Sequence, residues 1–137
     1  MNEFAKLEKN QKLVLIVDDD PTVRESLELM VSQAGYRVQT AASGVEGIDL
    51  AWGEEKPFAI IFDIMMGDMD GFDMAAQLFH AEKTKGVPLI LLTTPSGLKD
   101  RRKGARNNMN FITKPFRPSQ LLGLLENFKN PTIESAA

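Results

Sequence analysis

No cysteine occurs among the 137 residues, so disulfide frameworks and thiolate metal sites are excluded outright. Long apolar runs are missing as well. The longest, Leu13–Val17 and Val87–Leu92, fall far short of the roughly 20 residues that cross a bilayer as a helix. The stretch Met1–Lys12 is polar and charged and lacks the apolar segment of a secretory signal. These absences make a cytoplasmic location the default expectation, with no membrane partner. An excess of positive charge is also lacking. The net charge of −3 argues against a dedicated nucleic-acid binder, whose affinity would rest on many Lys/Arg–phosphate contacts. What remains is an ordinary globular composition, 43% hydrophobic and 26% charged, in a chain long enough for one domain with one core. The charge is uneven: residues 1–70 carry 14 acidic and 6 basic side chains, and residues 71–137 carry 5 and 10. That asymmetry points to an acidic site early in the chain and a basic surface later.

Short apolar runs alternate with helical patterns, and no internal repeat is found. Leu13–Val17 ends abruptly in Asp18-Asp19-Asp20. Asp20 as N-cap and Pro21 at the first helical position then open a helix, which Gly35 stops. Tyr36–Thr40 reads as a second strand, and Ser43-Gly44-Val45-Glu46 as a capping box for a helix to about Ala51. Phe58–Phe62 is a third strand, again terminated by aspartate, Asp63. Asp68 and Asp70 read as caps or turns into a third helix that runs to about Ala81. Val87–Leu92 is the fourth strand, and a weakly anchored helix follows over Ser96–Arg106, with Gly104 inside it. Asn110–Thr113 is a short fifth strand, and the last helix spans Pro118–Phe128. Five strands alternating with five helices predict an α/β fold, a parallel sheet covered on both faces.

Such sheets place ligand sites beyond the carboxyl ends of their strands, and there the chemistry clusters. Asp18 and Asp19 follow the first strand, Asp63 the third, Thr93 the fourth and Lys114 the fifth. Three converging carboxylates repel unless neutralised, and hard oxygen ligands suit a dication such as Mg²⁺. Lysine and threonine at the rim add a cation and a hydroxyl donor for an anionic group. The set is that of a phosphoryl-transfer site, with Asp63 as the nucleophile that forms an acyl phosphate and Asp18 and Asp19 as metal holders.

Four segments carry a resemblance. Val14-Leu15-Ile16-Val17-Asp18-Asp19-Asp20-Pro21, Ile61-Phe62-Asp63-Ile64-Met65-Met66-Gly67-Asp68-Met69-Asp70-Gly71, Leu91-Leu92-Thr93 and Lys114-Pro115-Phe116 resemble the receiver family of two-component response regulators. Order and spacing match across roughly residues 12–130, leaving residues 1–11 and 131–137 as tails. The resemblance implies a flavodoxin-like (βα)5 doubly wound sheet with strand order 2-1-3-4-5. It implies phosphorylation of Asp63 by the phosphohistidine of a sensor histidine kinase or phosphotransfer protein, followed by slow self-catalysed hydrolysis, without turnover of a substrate pool. By position, Asp19, Asp63 and the backbone carbonyl of Met65 would ligate Mg²⁺, with Mn²⁺ as the alternative ion and Asp18 helping through water. Thr93 would turn to the phosphoryl group, Lys114 would pair with it, and Phe111 would occupy the aromatic switch position. A cis peptide is implied between Lys114 and Pro115. A downstream protein target would dock on the face of the fourth helix, fifth strand and last helix, where Lys99, Arg101, Arg102, Lys103 and Arg106 lie.

The chain departs from the family pattern at several positions. Gly67 stands where proline is usual, and Phe111 lacks the phenol of the commoner tyrosine. Thr94-Pro95 replaces a small residue after the switch threonine, and Asn107-Asn108 takes the place of Gly-Ala before the fifth strand. The methionines Met65, Met66, Met69 and Met74 read as loop and core packing, as does Trp52. His80 has no partner motif, which argues against a phosphohistidine donor. An enzyme alternative is a haloacid-dehalogenase-type phosphatase with Asp18 as nucleophile, since Asp18-Asp19-Asp20-Pro21-Thr22 resembles its Asp-x-Asp-x-Thr signature. That fold needs an acidic motif after the lysine, and no aspartate follows Lys114. A pseudo-receiver would lack the acceptor or the acidic pair, and both are present. Either a stand-alone regulator or a piece of a larger protein fits the length.

Overall fold

In the computed structural model, residues 11–96 and 108–131 are described. Five parallel strands, β1 (Leu13–Val17), β2 (Arg37–Ala41), β3 (Ala59–Asp63), β4 (Leu89–Thr93) and β5 (Met109–Thr113), form one sheet in the order β2-β1-β3-β4-β5. Four helices are described: α1 (Pro21–Gln33), α2 (Gly44–Ala51), α3 (Gly71–His80) and the C-terminal α4 (Pro118–Lys129). The helix expected over Ser96–Arg106, with its basic run, lies outside the described residues apart from Ser96 itself. The architecture is therefore the flavodoxin-like doubly wound sheet that the resemblance implies.

β1, β3 and β4 are buried along their whole length, which is why they read as continuous apolar runs rather than as alternating strands. Alternation survives in where the side chains go. Leu15, Val17, Ile60, Phe62, Leu89 and Leu91 pack on one face with Ile48 of α2 and Met74 and Leu78 of α3. Val14, Ile16, Ile61, Ile90, Leu92 and Ile112 pack on the other with Leu27 and Val31 of α1 and Leu121 and Leu125 of α4. The sheet is thus the wall between two cores.

The helix starts follow the sequence. Asp20 caps α1, its side chain accepting from the Thr22 and Val23 N–H groups, with Pro21 at the first helical position. Gly35 ends that helix region at φ 102°, a left-handed turn that a side chain would strain. Ser43 caps α2 by accepting from the Glu46 N–H, and Glu46 returns a bond to the Ala42 N–H, one residue earlier than in the usual box. Asp70 caps α3. β1 has the bounds expected from the sequence, and the other strands differ from theirs by one or two residues. The largest shift is the start of β4 at Leu89 rather than Val87, because the Val87 N–H is used in a turn to Thr84.

Candidate functional site

Parallel register brings the strand ends to one edge. Val17 of β1 pairs with Phe62 of β3, so Asp18 and Asp63 follow as neighbours, and Asp63 in turn pairs with Leu92 of β4. Thr93 pairs with Thr113, and the Lys114 N–H donates to the Thr93 carbonyl at 2.7 Å. The four segments expected at this edge all reach it.

Their side chains make a graded set of contacts. Asp63 is 8% exposed and Lys114 forms an ion pair with its Oδ2, while its Oδ1 accepts the Met65 N–H at 2.8 Å. Asp18 is 2% exposed. Its Oδ1 accepts the Asp20 N–H at 2.9 Å, and its Oδ2 is buried with no hydrogen-bond partner. Burial pushes the Asp18 carboxyl above the ordinary aspartate value; the Asp20 N–H opposes this, Asp63 adds to it, Lys114 opposes it and Asp19 adds to it. Asp19 is exposed and its Oδ2 accepts the Gly67 N–H at 3.1 Å. Thr93 is buried, and its hydroxyl donates to the Thr94 carbonyl at 3.2 Å. The Met65 side chain is 76% exposed. The ring of Phe111 on β5 is half-buried against Phe72 of α3, centroid to centroid 6.1 Å.

Among the described residues no three acidic or imidazole side chains are already grouped to hold a metal: Asp63 is engaged by Lys114 and Asp19 by the Gly67 N–H. The donors nevertheless fit a hard dication. A buried carboxylate oxygen without a partner is costly in place, and a dication that needs one or two carboxylates plus water would relieve it.

Sequence reasoning assigned Asp68 to the third helix; it caps α2 instead. Its Oδ1 accepts the Gly44 N–H and its Oδ2 the Val45 N–H, both at 2.9 Å. The Gly44 and then the Val45 bonds lower its carboxyl pKa below the ordinary value. Arg24 of α1 was also missed. Its guanidinium Nη1 donates to the Asp18 carbonyl at 2.8 Å, steadying the strand end from behind. Neither contact has a local signal, since the partners lie on different elements. The glycine of Asp70-Gly71 has a spatial reason: a Cβ on Gly71 would come within 2.6 Å of the Ile64 Cα and 3.1 Å of the Asp63 carbonyl oxygen.

The family described as the response regulator receiver domain matches residues 14–126. Among curated proteins, PilH of Pseudomonas aeruginosa is 36% identical over 113 residues, covering 80% of this chain and 90% of that one. The DNA-binding dual master transcriptional regulator RpaA of Synechocystis is 33% identical over 110 residues, covering 80% of this chain and 45% of that protein. The chain spans about half the length of the first curated relatives it matches. Among solved structures, the chemotaxis response regulator CheY4 of Vibrio cholerae superposes with a TM-score of 0.76 at 30% identity, over 87% of this chain and 99% of that one. The receiver domain of a sensor histidine kinase from Pseudomonas aeruginosa, solved with a magnesium ion in its active-site cleft, gives 0.76 at 26% identity, over 86% and 97%. The chain belongs to the response regulator receiver domain family of two-component signalling.

Proposed function

We propose that the chain accepts a phosphoryl group on Asp63 from the phosphohistidine of a sensor histidine kinase or phosphotransfer protein, and passes the resulting state to a downstream target. The observation that carries this reading is the pairing of Asp63 with Lys114 beside Asp18, whose Oδ2 is buried without a partner. A carboxylate oxygen of Asp63 attacks phosphorus, the P–N bond to the imidazole breaks, and the nitrogen keeps the electron pair and takes up a proton. An acyl phosphate results. The Lys114 ammonium is placed to follow the charge from the carboxylate to the phosphoryl oxygens. Thr93 would exchange its bond to the Thr94 carbonyl for one to the phosphoryl group, and Phe111 would repack against Phe72 as β5 responds. Water attack at phosphorus later releases phosphate and restores the carboxylate.

Mg²⁺ would be held by Asp19, Asp63 and the Met65 carbonyl, with Asp18 acting through water, and when bound it would neutralise the oxygens of the transferred group. This reading draws support from the neighbour solved with magnesium in its cleft. The output differs among relatives. RpaA is named as DNA-binding, so the expectation of a protein-only target applies to the span of this chain and not to any longer protein that contains it.

Incubation with Mg²⁺ and acetyl phosphate, read by intact mass, tests the reading. A phosphoryl adduct that is labile in alkali and absent in Asp63→Asn is expected. An adduct that persisted in Asp63→Asn and vanished in Asp18→Asn would replace this reading with the phosphatase-like chemistry.

A further inference from the structure

The loop between β3 and α3, residues 64–70, is tied down by three carboxylates, and they differ in what else claims them. Asp63 holds the Met65 N–H and Asp19 holds the Gly67 N–H. Asp68 reaches out of the loop to the Gly44 and Val45 N–H groups at the start of α2. Beside it, the Met69 side chain lies on Gly44, so closely that a Cβ there would come within 2.4 Å of Met69 Cγ. Polar and apolar contacts therefore seat the same loop on the same helix start.

In the phosphoacceptor reading, on which this inference rests, Asp19 and Asp63 are claimed by the ion and the phosphoryl group, and their lone pairs are contested. Asp68 faces away from that competition. We propose that Asp68 is a positioning residue, the tie that keeps the 64–70 loop registered on the start of α2 while Asp19 and Asp63 are engaged, and so holds the Met65 carbonyl in place for the ion. Gly67 makes the tie necessary. It restrains the backbone less than proline would, so the loop's stiffness has to come from contacts. Proline itself would cost the loop one of those contacts, because the Gly67 N–H donates to Asp19 Oδ2 and proline has no N–H.

The test titrates Mg²⁺ into the intact chain and follows the Met65 and Gly67 amide resonances, with hydrogen exchange at Gly44 and Val45 measured in parallel. Asp68→Ala is expected to weaken Mg²⁺ binding roughly tenfold, the size typical of losing a group that orients a metal ligand, and to speed exchange at both α2 amides. Ser43→Ala removes the other cap of α2 and leaves the loop contacts alone, so it should fray the helix without changing Mg²⁺ affinity. Asp68→Asn, which keeps one acceptor oxygen for the α2 amides, should recover part of the affinity and slow exchange at Gly44 and Val45 relative to Asp68→Ala. Asp68→Ala that binds Mg²⁺ as wild type does would overturn the proposal. So would Ser43→Ala that weakens binding equally, since helix fraying would then be the cause. A wild-type chain that bound no Mg²⁺ would instead overturn the phosphoacceptor reading, and this inference with it.

Discussion

The two ends of the sheet treat charge in opposite ways. At the amino ends of the strands, Arg37 and Glu55 form a two-bond pair at the surface. Nearby, Lys12 stands 5.8 Å above the Phe58 ring and Lys129 5.2 Å above the Tyr36 ring. Those cations keep access to water, and pairs of this kind contribute little and cost little. At the carboxyl ends, Asp18 and Asp63 are buried, the Lys114 ammonium answers Asp63, and one oxygen of Asp18 has no partner among the described residues. That arrangement stores unfavourable electrostatics that a cation relieves. Charge at one end supports the fold; at the other, the fold holds the charge where chemistry needs it.

The sharpest way to break this contrast is to crowd the carboxyl end. Gly71→Ala would push a methyl group into the backbone of Ile64 and the Asp63 carbonyl. Such overpacking costs about 1–3 kcal/mol, and because it displaces the acceptor strand it should also depress the Asp63 adduct. Urea midpoints and intact mass read the two effects together. A variant that lost stability with normal acceptor activity would show that the strand end tolerates displacement.

Next in size is Asp18→Asn. Removing a buried charge with one unpartnered oxygen should stabilise the metal-free protein by about 1 kcal/mol at neutral pH, while weakening Mg²⁺ binding. Burial raises the Asp18 carboxyl in the folded state above its ordinary value of 3.8, so folding favours the protonated form. The contribution of Asp18 to stability therefore falls as pH rises through 3.8 towards the folded value and is level above it. The advantage of the variant should be full above that window and absent below it, as melts with a chelator across pH will read. A related measurement adds Mg²⁺. Ligand binding to the folded state alone raises the melting temperature, by more in wild type than in Asp18→Asn.

The smallest effect belongs to the amino end. Glu55→Gln should cost under about 1 kcal/mol, shrink further in high salt, and leave Mg²⁺ binding unchanged. A large loss, or any change at the metal, would end the comparison between the two ends.

Much of this was legible beforehand because it is written locally. Asp20-Pro21 opens α1, Ser43 opens α2, and apolar runs stopping at Asp18 and Asp63 mark where two central strands end. Convergence of the site residues follows from parallel topology alone. What stayed illegible depends on the partner across space. Asp68 sits two residues before the cap of α3 and gives no sign that it serves α2, 23 and 24 residues earlier. The unequal positions of Asp18, Asp19 and Asp63 were equally hidden. Three aspartates look alike in sequence, and what distinguishes them is the partner each finds: the Asp20 N–H for Asp18, the Gly67 N–H for Asp19 and the Lys114 ammonium for Asp63.

The ion pair between Lys114 and Asp63 spans 51 residues, and its cation arrives on the last strand of the sheet. During synthesis, a chain made only as far as β4 already carries both acidic segments and Thr93, without an ammonium to answer them. The pair closes only when β5 docks beside β4, so the contact between Lys114 and Asp63 reports that all five strands have taken their places in the sheet.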